Sequence, residues 1–345
     1  MKKRKLIYVG FTFPQHKAIR GGYDKIQYHL RYDKIINIDR FVEKWRAAGN
    51  KKDIFHKAWR KICYHLFGTP VFPAYIFQCY FYSLFHKDSL VHFIYGEDIY
   101  CKFTRILQNR VKMVCTIHQP YRICEKRGED FLKRLSKLYK LILVGNSEIG
   151  QFQSLFQNPK DVVFIPHGID TKFYCPDTTV PQEPLLLTVG GWLRDYALAN
   201  EVYGKLLERH PNLKIVVVTN TVKKSDFVDD KRISVLSGIS DEELRSLYRR
   251  CACLFLPLIR YTANNALLEA AATGCNILIS SNSQDNSYIP KDYLALCPLD
   301  VEKCVLEIEK MLEHPKRNLS LKDYVASHFD WDVIGNQTEL IFRNE

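Results

Sequence analysis

Asn264-Asn265-Ala266-Leu267-Leu268-Glu269-Ala270-Ala271-Ala272-Thr273-Gly274-Cys275 is the stretch that organises the reading of this 345-residue chain. An apolar run at 254–258 precedes it and another at 276–279 follows it. The local order is strand, polar loop, short helix, glycine stop, strand. The first turn of such a helix has backbone N–H groups without intrahelical acceptors and a partial positive charge, which suits a phosphate. Glu269, one turn further in, is placed to meet a sugar hydroxyl beside that phosphate. The plainer reading is a buried helix with Glu269 at its solvent edge.

Working outward, apolar runs at 185–189, 214–218, 253–256 and 276–279 alternate with amphipathic segments. The same alternation occupies the first half, at 5–9, 35–38, 90–95, 112–117, 141–144 and 162–165. Strands that alternate with helices in this way predict parallel, doubly wound sheets. Three prolines between Cys175 and Pro184 mark a linker. Asp241 reads as a helix N-cap, with Leu244, Leu247 and Tyr248 at helical spacing.

The length favours two domains, and 46% hydrophobic residues suffice for two cores. No apolar run reaches the roughly 18 residues of a membrane-spanning helix. The basic start 2–5 is followed by an apolar run too short for a signal segment, so the chain is expected to stay in the cytosol. The 11 cysteines include no Cys-x-x-Cys pair and no zinc-like spacing with histidine; reduced, buried thiols are expected. Residues 1–175 carry 31 Lys/Arg against 14 Asp/Glu, whereas the remainder has an acidic excess of 5. The basic half points to an anionic partner. An anionic membrane surface or a lipid-diphosphate acceptor fits, and no nucleic-acid motif is present. Between Arg40 and Lys61 there are eight cations, followed by Tyr75, Phe77, Tyr80, Phe81, Tyr82 and Phe85. These aromatics are expected to pack against the sheet; helices lying on a membrane interface are the other reading.

Taken together and in order, these segments resemble the retaining glycosyltransferases of the GT-B fold, specifically glycosyltransferase family 4. The family motif reads Glu, seven residues, Glu, then Ala, two residues and Gly. Glu269, Ala270 and Gly274 match it, Asn265 to Leu268 resemble a common variant of the segment between, and Tyr261 stands at the first Glu position. Residues 235–248 resemble the segment that grips the nucleotide base, 185–190 the first strand and glycine turn of the donor domain, and 165–173 the interdomain signature. His328-Phe329-Asp330-Trp331 resembles the start of the last helix. Gly21-Gly22 and Thr116-Ile117-His118 resemble the two N-domain landmarks.

The resemblance implies two Rossmann-like doubly wound α/β domains facing across a cleft. The first spans 1–175 with a C-terminal helix at 332–345 packing back on it; the donor domain spans 183–331. It implies transfer of a sugar from a nucleotide-diphosphate donor, a UDP- or GDP-sugar, to a saccharide or lipid-linked acceptor with retention. Cell-surface polysaccharide synthesis is the expected setting, in the cytoplasm or peripherally on the inner membrane face. His118, Arg194 and Glu269 are the implied catalytic residues. Gly21, Gly22, Gly190, Gly238, Ile239, Tyr261, Asn264, Asn265, Ala266 and Glu269 are the implied donor-binding residues. The family's two diphosphate cations fall at Gly191 and Tyr196, so Arg194 is the expected substitute, with Arg260 the second candidate. No Asp-x-Asp motif stands at a strand end, and neither metal nor cofactor is expected. Two alternatives stay open: an epimerase or hydrolase of the same fold, and a non-catalytic sugar- or nucleic-acid-binding protein.

Overall fold

Buried on both faces, the strands of a parallel sheet become continuous apolar runs, and the central strands of both sheets are built so. The computed structural model describes residues 4–13, 20–40, 54–69, 72–259, 264–281 and 288–343. The chain divides into two compact units, Met1–His167 with Ile334–Glu345, and Gly168–Val333.

The first unit holds β1 (Leu6–Gly10), β2 (Lys34–Asn37), β3 (Leu90–Phe93), β4 (Lys112–Ile117), β5 (Lys140–Leu143) and β6 (Val162–Phe164). Their order is β2-β1-β3-β4-β5-β6, and every neighbouring pair is parallel. The chain leaves β1 toward one edge and returns for β3 on the other side, so the switch point lies between β1 and β3. Ligands of open α/β sheets bind beyond the strand C-termini at such a point.

The second unit repeats this plan with β7 (Glu183–Val189), β8 (Lys214–Val218), β9 (Ile233–Leu236), β10 (Cys251–Pro257), β11 (Ile277–Ser280) and β12 (Ala295–Cys297). Their order is β12-β11-β10-β7-β8-β9, again all parallel, with the switch between β7 and β10. All seven residues of β10 are buried. The expected strands fall within one or two residues of those observed. β9 and β12 were not expected. Both are short edge strands: Ser234 interrupts the apolar residues of β9, and β12 is only three residues long, at the end of the apolar run 293–297.

Helix starts follow local chemistry. Asn264 caps Asn265–Ala272, and its side chain accepts from the Leu267 N–H. Gly274 ends that segment at φ 70°. Before Asp241–Arg250 the cap is Ser240 rather than Asp241. Ser240 accepts from the Glu243 N–H while Glu243 accepts from the Ser240 N–H, a reciprocal capping box. Asp241 is the first helical residue and is buried. The last helix, Trp331–Arg343, begins after Asp330 and carries Ile334 and Phe342 into the core of the first unit. The expectation for the aromatics of Ala74–Phe85 needs correcting. Tyr75 is buried and its hydroxyl donates to the Ile99 carbonyl, but Phe77, Phe81 and Phe85 are exposed.

Gly335 brings the last helix against the backbone of His29, where an added Cβ would lie 2.3 Å from the His29 carbonyl oxygen. Helix propensity alone would make Gly335→Ala stabilising by about 1 kcal/mol. Overpacking against fixed backbone opposes this at about 1–3 kcal/mol. Gly335→Ala is therefore expected to lower the thermal midpoint; an unchanged or raised midpoint would show that the helix is not held this closely.

Candidate active site

In the second unit the candidate residues gather at the switch point between β7 and β10. Gly190 follows β7 at φ 94°, and a Cβ there would lie 2.9 Å from Arg194 Nη2. Both features demand glycine. The loop beyond it is pinned to the end of β10. The Ile259 N–H donates to the Leu193 carbonyl at 3.0 Å, and the Asp195 N–H to the Pro257 carbonyl at 2.9 Å. Asp195 then caps the helix Tyr196–Arg209 by accepting from Leu198 N–H, rather than pairing with Arg194.

Arg194 folds back under its own loop. Nε and Nη2 donate to the Val189 carbonyl at 3.1 and 2.9 Å, Nη1 to the Trp192 carbonyl at 3.1 Å, and Nη2 to Asn264 Oδ1 at 3.4 Å. Burial lowers its pKa to about 10. Arg194 thus links the Val189 carbonyl to Asn264, which lies 70 residues beyond Arg194 in sequence. The Nδ2 of buried Asn264 has no hydrogen-bond partner among the described residues, which leaves two N–H donors at the helix start. Gly191 and Tyr196, standing at the two expected cation positions, have other work. A Cβ on Gly191 would meet Thr221 at 2.4 Å, and the Tyr196 hydroxyl donates to the Gly190 carbonyl.

Glu269 is buried rather than at a solvent edge. Its Oε2 accepts from the Tyr248 hydroxyl at 2.9 Å, which joins the helix after β10 to the helix after β9. Burial pushes its carboxyl up to about 7, with the Tyr248 bond pulling the other way and Asp241 adding to the rise. Asn265 and Ala266 form the first turn behind Asn264. Gly238, at φ 68° with open space where a Cβ would stand, and the half-buried Ile239 follow β9. Tyr261 and Arg260 lie outside the described residues.

In the first unit, Gly22 at φ 108° leads into the turn Tyr23–Lys25. Tyr23 lies edge-on to His118, ring centroids 4.8 Å apart, so the two N-domain landmarks meet through a residue that sequence reading passed over. His118 also packs on Tyr95 at 4.7 Å. Beneath it is Glu97, buried in the helical turn Gly96–Ile99 that follows β3. Its carboxylate accepts from the His118 backbone N–H at 3.2 Å and lies 3.4 Å from Nδ1. Asp24 is a second buried carboxylate here. It accepts from Thr12 Oγ1 at 3.0 Å and lies 3.4 Å from Lys25 Nζ; burial pushes its carboxyl up. Tyr23, Asp24 and Glu97 were not singled out from sequence. The available signal for Glu97 was an acid just past an apolar strand, in the place where β4 carries His118.

No protein-family model and no curated protein sequence matches the chain. Solved structures match over nearly its whole length. They include Anabaena HepE in complex with UDP-glucose, at 11% identity, 99% coverage of each chain and a TM-score of 0.68. Sucrose-phosphate synthase from Thermosynechococcus elongatus matches at 17% identity, 99% and 98% coverage and 0.65. A glycosyltransferase from Rickettsia africae matches at 13%, 99% and 100%, and 0.65. The two parallel six-stranded units have the GT-B glycosyltransferase fold.

Two predictions follow from local geometry. Folded Glu269 holds its proton up to about pH 7, whereas the unfolded carboxyl releases it near the ordinary value of 4.5. The folded state binds more protons across that interval, so its stability falls as pH rises through it. Glu269→Gln is expected to flatten this fall, read from urea midpoints on either side of the interval; an unchanged slope would assign the titration to another group. The Glu97 carboxyl 3.4 Å from Nδ1 is expected to favour the Nδ1–H tautomer of His118. Histidine-labelled ¹⁵N spectra should show that form, and Glu97→Gln should weaken the preference. An Nε2–H form in the parent protein would overturn the assignment.

Proposed function

We propose that this protein is a retaining glycosyltransferase of the family 4 type. It moves a sugar from a UDP- or GDP-sugar to a saccharide or lipid-linked acceptor, in the synthesis of a cell-surface polysaccharide or glycan. The observation that carries this reading is the convergence at one sheet switch point of the Gly190 turn, buried Arg194 and the Asn264-capped helix. That convergence offers backbone N–H groups, a guanidinium and a helix dipole to one anion. HepE and sucrose-phosphate synthase, whose fold this chain shares, support it: HepE structures contain UDP, UDP-glucose and glucose.

In the proposed reaction the donor diphosphate lies at the start of Asn265–Ala272 and the nucleoside toward Gly238 and Ile239. Glu269 accepts from a ribose hydroxyl through a carboxyl oxygen. The acceptor oxygen attacks the anomeric carbon on the face from which the diphosphate departs, and the leaving phosphate oxygen takes the acceptor proton. Positive charge held in place at a departing diphosphate lowers the barrier because the charge it meets grows as the bond breaks. Arg194 and the helix N-terminus supply it, and we propose that the transfer uses no metal. His118, on the first unit, contributes to transfer rather than to nucleotide binding. The cytosolic face of an anionic membrane is the proposed location.

A second reading, binding without turnover, draws on Gly191 and Tyr196 standing where two cations would be expected. Calorimetry and turnover assays with UDP- and GDP-sugars decide. Binding with transfer or slow hydrolysis of the donor supports the enzyme; binding without turnover supports the second reading; no binding overturns both. Arg194→Ala should weaken a nucleoside diphosphate about ten- to hundredfold and a monophosphate less, through loss of charge-assisted bonds and release of Asn264. Equal effects on the two would remove Arg194 from the diphosphate.

A further inference from the structure

From residue 54 to residue 87 the chain contains no Asp or Glu, while Lys57, Arg60, Lys61 and Lys87 are present. Two helices lie within this span, Ile54–Phe67 and Ala74–Phe85. Ala74–Phe85 is apolar on both faces. Tyr75, Ile76, Cys79 and Ser83 point into the unit and are buried. Phe77, Phe81, Leu84 and Phe85, at i, i+4, i+7 and i+8, form a second stripe that is exposed, with Phe81 at 60% and Phe85 at 85%. On Ile54–Phe67, Trp59, Ile62 and Leu66 repeat the pattern and are likewise exposed.

The two stripes are one surface. Phe72 stacks with Trp59 at 6.5 Å and meets Phe67 edge-on at 5.7 Å; Phe103 meets Phe67 at 6.0 Å and Phe77 at 5.1 Å. An exposed aromatic and aliphatic patch of this extent marks an interaction site. Its charge selects the partner. Exposed Lys57, Lys61 and Lys87 border it, and the nearest acids in sequence, Asp53 and Asp88, fall just beyond either end of the span. A second copy would present the same cations to these lysines, whereas an anionic lipid surface complements them. Trp, Tyr and Phe side chains are suited to the headgroup boundary, where an apolar ring is covered and polar atoms stay wet.

We infer that this patch is a membrane-docking surface. Phe77, Phe81, Leu84, Phe85 and Trp59 enter the headgroup region of an anionic bilayer while Lys57, Lys61 and Lys87 pair with lipid phosphates. The inference adds to the proposed function the surface by which a lipid-linked acceptor is reached. It is tested without nucleotide sugar, so its failure and that of the proposed transfer are separate.

The full chain is sedimented with mixed phosphatidylglycerol–phosphatidylcholine vesicles and with phosphatidylcholine vesicles, at low and at molar salt. Association is expected on the anionic vesicles, at least about tenfold weaker on neutral ones, and reduced at molar salt, where screening shortens to roughly 3 Å. Phe81→Ser with Phe85→Ser, both at exposed positions, should weaken association at least about tenfold while the thermal midpoint holds. Lys57→Gln with Lys61→Gln should weaken it and flatten the salt dependence. Tryptophan emission should shift to the blue on the anionic vesicles, and Trp59→Phe should remove most of that shift. No sedimentation at low salt, or unchanged association of the Phe81/Phe85 variant, overturns the inference. A parent dimer that the Phe81/Phe85 change dissociates, without vesicle binding, overturns it in favour of a second copy.

Discussion

The carbonyl of Val189, last residue of β7, has no strand to bond beyond the end of the sheet, and the buried guanidinium of Arg194 satisfies it twice. Much of the second unit's switch point depends on that contact. It forces the chain to reverse at Gly190, where only a residue without Cβ fits both the positive φ and the guanidinium beneath. It carries the loop to the end of β10 and holds Asn264 Oδ1, and through Asn264 the start of the helix that contains Glu269. A buried charge is tolerated only when its hydrogen bonds are met, and here carbonyl and amide oxygens meet them rather than a carboxylate. Among the described residues no acid pairs with this charge.

The first unit solves the corresponding problem with acids. Asp24 is part of the turn that follows Gly22, and Glu97 lies under His118. Each is buried and each accepts from a neighbouring group, the Thr12 hydroxyl for Asp24 and the His118 backbone N–H for Glu97. The units share a strand plan but differ in the sign of the side chains beneath their candidate loops. That difference suits an anionic ligand on the second unit.

Burial of both faces of each sheet made most of the strands readable, since an interior parallel strand must be an apolar run. The two strands not expected are both short edge strands: Ser234 interrupts β9, and β12 has only three residues. The cap of Asp241–Arg250 was misplaced by one residue because Ser240 and Asp241 both suit an N-cap; the reciprocal bonds with Glu243 decide for Ser240. The aromatics of Ala74–Phe85 were read as core because ring-rich helices usually are. A helix that is apolar all round does not reveal from its sequence which face is covered.

What the sequence by itself determined was the alternation of strands and helices, the positions of Gly190, Asn264 and Gly274, and the nearness of His118 to a strand end. Each follows from a local rule of backbone conformation, capping or apolar period. Only the tertiary structure decided that Arg194 turns inward to Val189 rather than outward to Asp195, and that Glu269 is buried against Tyr248. It alone placed Glu97 beneath His118 and joined Trp59 to Phe77 through Phe72, Phe67 and Phe103. Most of these pairings join separate elements of the fold. Side-chain direction and burial are set by how separate elements pack, which no local pattern of residue types encodes.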